Sequence, residues 1–174
     1  MLIPDFQVPP EARRERSVVW HDAGSVPALV AGLSGLQIMQ GIRDGTLPPP
    51  PMARLVGFRC TAAEHGEVAM VMDHDASIEN TMGMVHGGAT ATILDTAMGC
   101  AAHTTLPVGS GIVTLDLTIT YLRPVTPRSS PVTAIGRVVN AGRRMIYVTG
   151  EVRDVGDSLV AHAVGNFSVV ASRG

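Results

Sequence analysis

The chain contains no lysine, and all 13 of its basic side chains are arginines. This absence excludes a Schiff-base lysine, a Ser–Lys catalytic pair and the phosphate-binding lysine of a P-loop. Two glycine motifs are missing as well, the Gly-x-Ser-x-Gly turn of α/β-hydrolases and the Gly-x-Gly-x-x-Gly dinucleotide loop. If the chain is an enzyme, its chemistry must come from other groups.

Cysteine, aromatic residues and charge are all scarce. The two cysteines, Cys60 and Cys100, form no Cys-x-x-Cys pair and fall in apolar segments, so we expect buried thiols in a reducing compartment. Aromatic residues make up 3% of the 174 residues and hydrophobic ones 45%, which suits a single domain with an aliphatic core. The net charge of −2 offers no basic field for nucleic acid or an anionic membrane.

Membrane spans and a signal peptide are not expected either. The two longest uncharged stretches, 24–42 and 96–115, are interrupted by proline, polar residues or histidine. The first residues lack the basic region and apolar run that are typical of a secretory signal. We therefore expect a soluble, cytoplasmic protein without membrane partners.

The first 51 residues differ in character from the rest of the chain. Residues 1 to about 24 are mixed and charged, which predicts an arm. From Val26 to Arg43 apolar residues recur every three or four positions, which predicts one amphipathic helix that ends at Asp44-Gly45. Four prolines, Pro48 to Pro51, favour an extended spacer. We accordingly divide the chain into an N-terminal region, 1–51, and a main domain, 52–174.

The main domain is expected to contain one long helix and about six strands. The helix should run from Gly88 to about Thr104, and strict alternation in the next strand places Thr114 on the face opposite Leu117. Strands are expected at 55–62, 67–73, 113–121, 132–139, 145–153 and 159–170, with turns at 65–66, 140–142 and 155–157. This order predicts an α+β fold in which one antiparallel sheet wraps around the helix.

The stretch Asn80-Thr-Met-Gly-Met-Val-His86-Gly-Gly carries the clearest chemical signal. Gly87 and Gly88 directly precede the helix, so backbone N–H groups at its positive end are open to an oxygen with partial negative charge. Asp95 follows Gly88 by seven residues, about two turns along the same face, within a stripe of small residues. A carboxylate so placed suits hydrolysis of an activated acyl group. The small residues indicate close approach of a ligand or of a second copy of the helix.

The spacing Asn-x-x-Gly-x-x-His-Gly-Gly, with an Asp nine residues after the His, resembles the hotdog-fold acyl-CoA thioesterases of the PaaI-like, phenylacetate-pathway type. The segment Gly-Ile-Val-Thr114-Leu-Asp-Leu-Thr-Ile-Thr-Tyr-Leu-Arg-Pro124 resembles that family's strand after the helix, and the likeness covers about residues 52–171. It implies a hotdog fold and thioester hydrolysis without metal or cofactor, coenzyme A being part of the substrate. It also implies a homodimer or a dimer of dimers with the active site at the subunit interface.

The resemblance implies particular roles for the matching residues. Asp95 would act as general base or nucleophile for the glycine loop of the other subunit. The Gly87 N–H, helped by Asn80, would polarise the thioester carbonyl. His86 would order the loop, and Gly88 would allow the tight entry into the helix.

Other residues are candidates for water or substrate contacts, each with a plainer alternative. Thr114 would position the attacking water, or it is simply a strand former. Met82 and Met84 flank the glycine loop and would line an adaptable acyl pocket, or they belong to the core. Three arginines, Arg123, Arg143 and Arg144, suit the phosphates of coenzyme A, or lie in solvated turns.

Several alternatives stay open at this point. A non-catalytic acyl-CoA binder of the same fold would not need the Asp95 carboxylate, and a hotdog enoyl-CoA hydratase would need an Asp–His pair that does not follow Asp95 or Asp75. A structural dimerisation module would leave the spacing of the loop unexplained. His65, His74, His103 and His162 share no ligand-like spacing, so no metal site is expected. The accepted acyl group is open.

Overall fold

The structure is a computed structural model that describes residues 9–171. Its helices are α1 (Val26–Val30), α2 (Gly35–Asp44), α3 (Pro51–Val56) and α4 (Gly87–Thr104). Its strands are β1 (Phe58–Glu64), β2 (Glu67–Met72), β3 (Ser110–Tyr121), β4 (Val132–Ala141), β5 (Met145–Arg153) and β6 (Leu159–Ala171). Short 3-10 turns lie at Pro10–Ala12, Ala23–Ser25, Ala76–Ile78 and Pro127–Ser129. Within the described range, no helix is long and apolar enough to cross a membrane.

The six strands form one antiparallel sheet in the order β1-β2-β4-β5-β6-β3, and α4 packs on one face of it. The α4 residues Leu94 and Met98 are fully buried against sheet residues such as Val148 and Phe167. Burial of each such side chain contributes about 1.5–3 kcal/mol. The predicted α+β fold, one sheet around one long helix, is confirmed.

Glycines in the sheet let α4 lie unusually close to it. A Cβ at Gly136 of β4 would lie 2.5 Å from the Ala97 carbonyl oxygen, and one at Gly150 of β5 would lie 2.6 Å from the Met98 sulfur. Small residues therefore set the distance between α4 and the middle of the sheet.

The N-terminal helix prediction is partly wrong, because two helices replace one. Ala31 has extended dihedrals and Gly32 a positive φ of 80°, so the chain turns between α1 and α2. Ser34 then begins α2 with a capping box: its hydroxyl accepts from the Gln37 N–H, and the Gln37 side chain accepts from the Ser34 N–H. This local capping overrides the continuous apolar periodicity. The predicted end at Gly45 is confirmed, with φ of 75°.

The start of the first strand is also different from the prediction. Pro50 has the extended dihedrals expected of the proline run, but Pro51 occupies the first position of α3, where its missing N–H costs nothing. Leu55 therefore belongs to a helix instead of a strand, and Gly57, with φ of 91°, ends that helix. Strand β1 begins only at Phe58.

A bulge in β3 overturns the strict alternation expected there. Thr114 pairs with Phe167 of β6, and Asp116 pairs with Asn166, the residue before Phe167. Leu115 therefore has no partner of its own. Because Phe167 is fully buried on the helix side of the sheet, Thr114 faces α4 as well. The extra residue puts Thr114 on the same face as Leu117, not on the opposite one.

The remaining predictions hold with small shifts at the ends of elements. The turns at 65–66 and 155–157 are confirmed, and α4 begins one residue early, at Gly87. The turn expected at 140–142 is displaced, because β4 continues to Ala141 past a bulge after Val138. The chain reverses at 142–144 instead.

The contact between Gly136 and the backbone of α4 gives a stability prediction. Gly136→Ala should lower the free energy of unfolding by about 2–3 kcal/mol, because the Ala97 backbone cannot move aside as a side chain could. The control is Gly111→Ala in β3, where the new Cβ would meet only Val170 at 3.6 Å and the change should stay within about 0.5 kcal/mol. Urea unfolding at matched protein concentration measures both, and equal stability of the two variants would contradict the packing argument.

Candidate active site

The loop before α4 is held together by the Asn80 side chain. The Asn80 Oδ1 accepts from the N–H groups of Met82 at 2.8 Å and Met84 at 3.3 Å, and the Asn80 N–H donates to the Met84 carbonyl at 2.7 Å. Gly83 takes a positive φ of 71° at the tip. The side-chain oxygen of Asn80 is thus used within the loop, which leaves its NH₂ group as the donor available to a ligand.

His86 is the N-cap residue of α4. Its Nδ1 accepts from the Gly88 N–H at 2.8 Å, and its carbonyl accepts from the Ala89 N–H at 2.9 Å. A Cβ at Gly88 would lie 2.9 Å from Nδ1, so a side chain there would disturb the cap. Between residues 9 and 171, no acceptor faces the Gly87 N–H. The open donor at the positive end of α4 is therefore that of Gly87.

Tyr121, at the end of β3, holds the other side of Gly87. Its hydroxyl donates to the Gly87 carbonyl oxygen at 2.9 Å, and its ring lies 3.6 Å from where a Gly87 Cβ would be. Tyr121 is not among the site residues predicted from the sequence. Thirty-four positions separate the two residues, so a pattern of neighbouring residues in the sequence does not indicate their contact.

A cleft of about 340 Å³ lies against this helix start. Its walls include four predicted site residues, Asn80, Met84, Gly87 and Arg123, together with Tyr121. Met82 is 76% exposed and does not line the cleft. The structure therefore brings Asn80, Gly87 and Arg123 together around one cleft.

Asp95 lies on α4 outside this cleft. It is partly buried, and its Oδ1 accepts from the Thr114 hydroxyl at 2.9 Å. The β3 bulge makes this bond possible, since it turns Thr114 toward the helix. Eight residues separate Asp95 from Gly87, which corresponds to about 12 Å along the helix axis. A single chain thus keeps the carboxylate and the Gly87 N–H apart.

The three predicted arginines lie at opposite ends of β3. Arg143 and Arg144 are exposed in the β4–β5 turn, and the Arg144 carbonyl accepts from the Val169 N–H near the beginning of β3. Arg123 follows the end of β3, on the side of Gly87. The arginine turn is therefore close to the Thr114 end of the strand, and Arg123 is close to the glycine loop.

Two titratable groups of α4 lie toward the other edge of the sheet. Burial raises the pKa of the Cys100 thiol to about 12, so it stays protonated and is no nucleophile. Burial also lowers the pKa of His103. Across residues 9–171, no three His, Cys, Asp or Glu side chains cluster in a way that would hold a metal ion.

Proteins with similar sequences include esterases and thioesterases. The sequence profile of the thioesterase superfamily matches residues 82–161, which contain most of the glycine loop, α4 and β3. A candidate esterase of Halobacterium salinarum is 30% identical, and the match covers 66% of this chain and 81% of that protein.

Solved structures share the architecture. A thioesterase from Haemophilus influenzae is 26% identical with a TM-score of 0.65, over 69% of this chain and 82% of that one. A conserved protein from Pseudomonas aeruginosa is 33% identical with a TM-score of 0.66, over 70% and 95%. The Escherichia coli PaaI protein from the phenylacetic acid degradation operon shares the fold at 21% identity, with a TM-score of 0.70 over 80% and 98%.

The cap of α4 gives a prediction about stability, which tests whether His86 holds the loop independently of any role in catalysis. His86→Ala should lower the free energy of unfolding by about 1 kcal/mol, because the Gly88 N–H loses its acceptor. His86→Asn should keep most of that stability, since an asparagine oxygen caps helices well. Thermal or urea unfolding measures the pair, and an alanine variant as stable as the asparagine variant would disprove the capping role.

Proposed function

The chain belongs to the thioesterase superfamily and has its hotdog fold, and from that premise we propose that it hydrolyses acyl-CoA thioesters to the free acid and coenzyme A. The observation that carries the proposal is the open Gly87 N–H at the start of α4, in the same cleft as Asn80. A Streptococcus mutans protein of similar fold, 27% identical with a TM-score of 0.61, was solved bound to acetyl-CoA, which supports this substrate class.

The Gly87 N–H polarises the thioester carbonyl. The oxygen accepts from this N–H, with the positive end of α4 behind it and the Asn80 NH₂ beside it. As the carbonyl carbon becomes tetrahedral, negative charge grows on that oxygen and these contacts strengthen. A single such donor is worth about 3–4 kcal/mol of transition-state stabilisation. Because His86 and Tyr121 hold the residues around Gly87, the donor is in position before the substrate arrives.

Asp95 supplies the negative group that drives hydrolysis. The Thr114 hydroxyl donates to its Oδ1, which orients the carboxylate and leaves Oδ2 for the reaction. As a general base, it takes a proton from water while the water oxygen attacks the carbonyl carbon. As a nucleophile, it forms a mixed anhydride that water then cleaves. In both routes the C–S bond breaks and the thiolate of coenzyme A leaves.

Two subunits complete each site. Among residues 9–171 no strand pairs with the outer edge of β3, and Val113 and Leu115 on this strand are 53% and 58% exposed. An edge of twelve residues with exposed apolar side chains is a template for pairing with a second copy. A two-fold dimer through β3 sets the α4 helices side by side, so that Asp95 of one subunit serves Gly87 of the other. This arrangement accounts for the 12 Å separation within one chain.

Side chains around the two halves bind the rest of the substrate. Met84 lines the cleft beside the thioester and contacts the acyl group, and Arg123 lies at the same cleft. Arg143 and Arg144, in the turn near the Thr114 end of β3, are the other cationic groups for the phosphates of coenzyme A. Gly88 allows the cap, and Met82 remains a predicted acyl contact.

Loss of the Asp95 carboxylate tests the reaction. Asp95→Asn should lower kcat by roughly 10²–10⁴-fold for thiol release from a panel of aromatic and straight-chain acyl-CoAs, with substrate binding retained. Thiol titration measures the release, and the panel defines the accepted acyl group. Asp116→Asn is the control, since Asp116 lies on the opposite face of β3 from Thr114 and bonds Asn166 away from the site. Binding of acyl-CoA by the wild type without any thiol release would instead indicate a non-catalytic binder.

Removal of one N–H tests the carbonyl contact and the shared site. Gly87→Pro deletes the donor at a helix position that favours proline, after a residue with extended dihedrals, and should lower kcat by about 10²–10³-fold. Gly87→Ala keeps the N–H and should retain most activity, because its Cβ has room beside Tyr121.

Mixed dimers then report which subunit supplies Asp95. Co-expression of Gly87→Pro with Asp95→Asn should restore about a quarter of wild-type activity, since half of the dimers are mixed and each carries one intact site. Activity that stays at the level of the single variants would place Gly87 and Asp95 of one chain in the same site.

A further inference from the structure

An apolar cavity of about 640 Å³ lies on the β1 side of α4. Phe58 and Cys60 of β1 line it together with Cys100 of α4. Asp95 contacts β3 instead, and β1 and β3 are the two opposite edges of the sheet. Neither Asp95 nor Gly87 lines this cavity, so it is separate from the proposed hydrolytic site.

The N-terminal region forms the outer wall of the cavity. Residues of α1, α2 and the proline run 48–51 line it, and they all precede the segment that matches the thioesterase superfamily. The volume is in the range of small-molecule sites, and no Asp or Glu faces the cavity from the described residues. Such a space suits a flexible alkyl chain.

An arginine-lined cleft of about 530 Å³ adjoins the apolar cavity. It contains Arg43, Arg54 and Arg59, and no Asp or Glu from residues 9–171 lines it. Arg59 lines both spaces, and so marks their junction. Each space is thus suited to one half of an amphiphile.

The charges of the cleft leave one arginine for a ligand. The Arg43 guanidinium pairs with Asp44, and the Arg59 guanidinium pairs with Asp73. For Arg54 the structure gives no carboxylate within 4 Å among residues 9–171. One monovalent anion bound at Arg54 would therefore give each of the three arginines an anionic partner.

We propose that these two spaces form a second ligand site, which binds a free fatty carboxylate with its alkyl chain in the apolar cavity and its head group among Arg43, Arg54 and Arg59. The apolar lining selects the chain, and the arginines select the anionic end. The site is built by residues outside the catalytic constellation and does not depend on thioester hydrolysis.

Cys60 offers a reporter of position, because its partly buried thiol lines the apolar cavity. The full chain is titrated calorimetrically with dodecanoate below its micellar concentration, and thiol modification by N-ethylmaleimide is followed by mass spectrometry. At ten times its Kd, dodecanoate should slow modification of Cys60 about tenfold, whereas the protonated Cys100 thiol should react little with or without the ligand. Dodecanoate that binds without protecting the Cys60 thiol, or that does not bind at all, would overturn the proposal.

Charge variants test the head-group half of the site. Arg54→Glu should weaken dodecanoate binding about three- to tenfold, whereas Arg128→Glu, at an exposed turn elsewhere, should leave it unchanged. Dodecan-1-ol should protect the Cys60 thiol less well than dodecanoate at equal concentration. Equal protection by the alcohol, together with an Arg54→Glu variant that binds as the wild type does, would overturn the assignment of the arginines.

Discussion

The close packing of α4 on the sheet is the constraint on which the rest of the molecule depends. Gly136 and Gly150 allow the helix backbone to approach the strands, and small residues on α4 keep the separation short. With one face of the helix held in this way, its two flanks point to opposite edges of the sheet. Asp95 then meets β3, and Cys100 faces the side of β1. Every functional surface of the protein is positioned by this one contact.

The β3 flank holds the two halves of the proposed hydrolytic site. At one end, His86 and Tyr121 fix the surroundings of the open Gly87 N–H. Two turns further along, Thr114 orients the Asp95 carboxylate. A rigid helix cannot bring its own two ends together, so in the proposed mechanism the two halves meet across an interface between subunits. The outer edge of β3, which has no partner strand in the described part of the chain, lies beside both.

The β1 flank is shaped by the N-terminal region, which adds walls that the sheet and α4 lack. The break between α1 and α2 and the short helix α3 fold this region back over Cys60 and Cys100. Proline at the start of α3 and glycine at its end limit that helix to one short segment. The result is an apolar space with arginines at its side, separate from the hydrolytic half-sites.

Local signals determined much of this protein. The loop of Asn80, His86 and the two glycines depends on contacts within a few residues, so the sequence indicated this loop and the helix start to within one residue, whereas the capping bond of His86 appeared only in the structure. The bulge at Leu115 was decided only by the tertiary structure, since it arises from the register between β3 and a strand about fifty residues later. That register turns Thr114 toward Asp95 and brings Tyr121 onto Gly87. Strand pairing joins segments that are distant in the sequence. The alternation of residues within one strand therefore cannot show where that strand has an extra residue relative to the strand it pairs with.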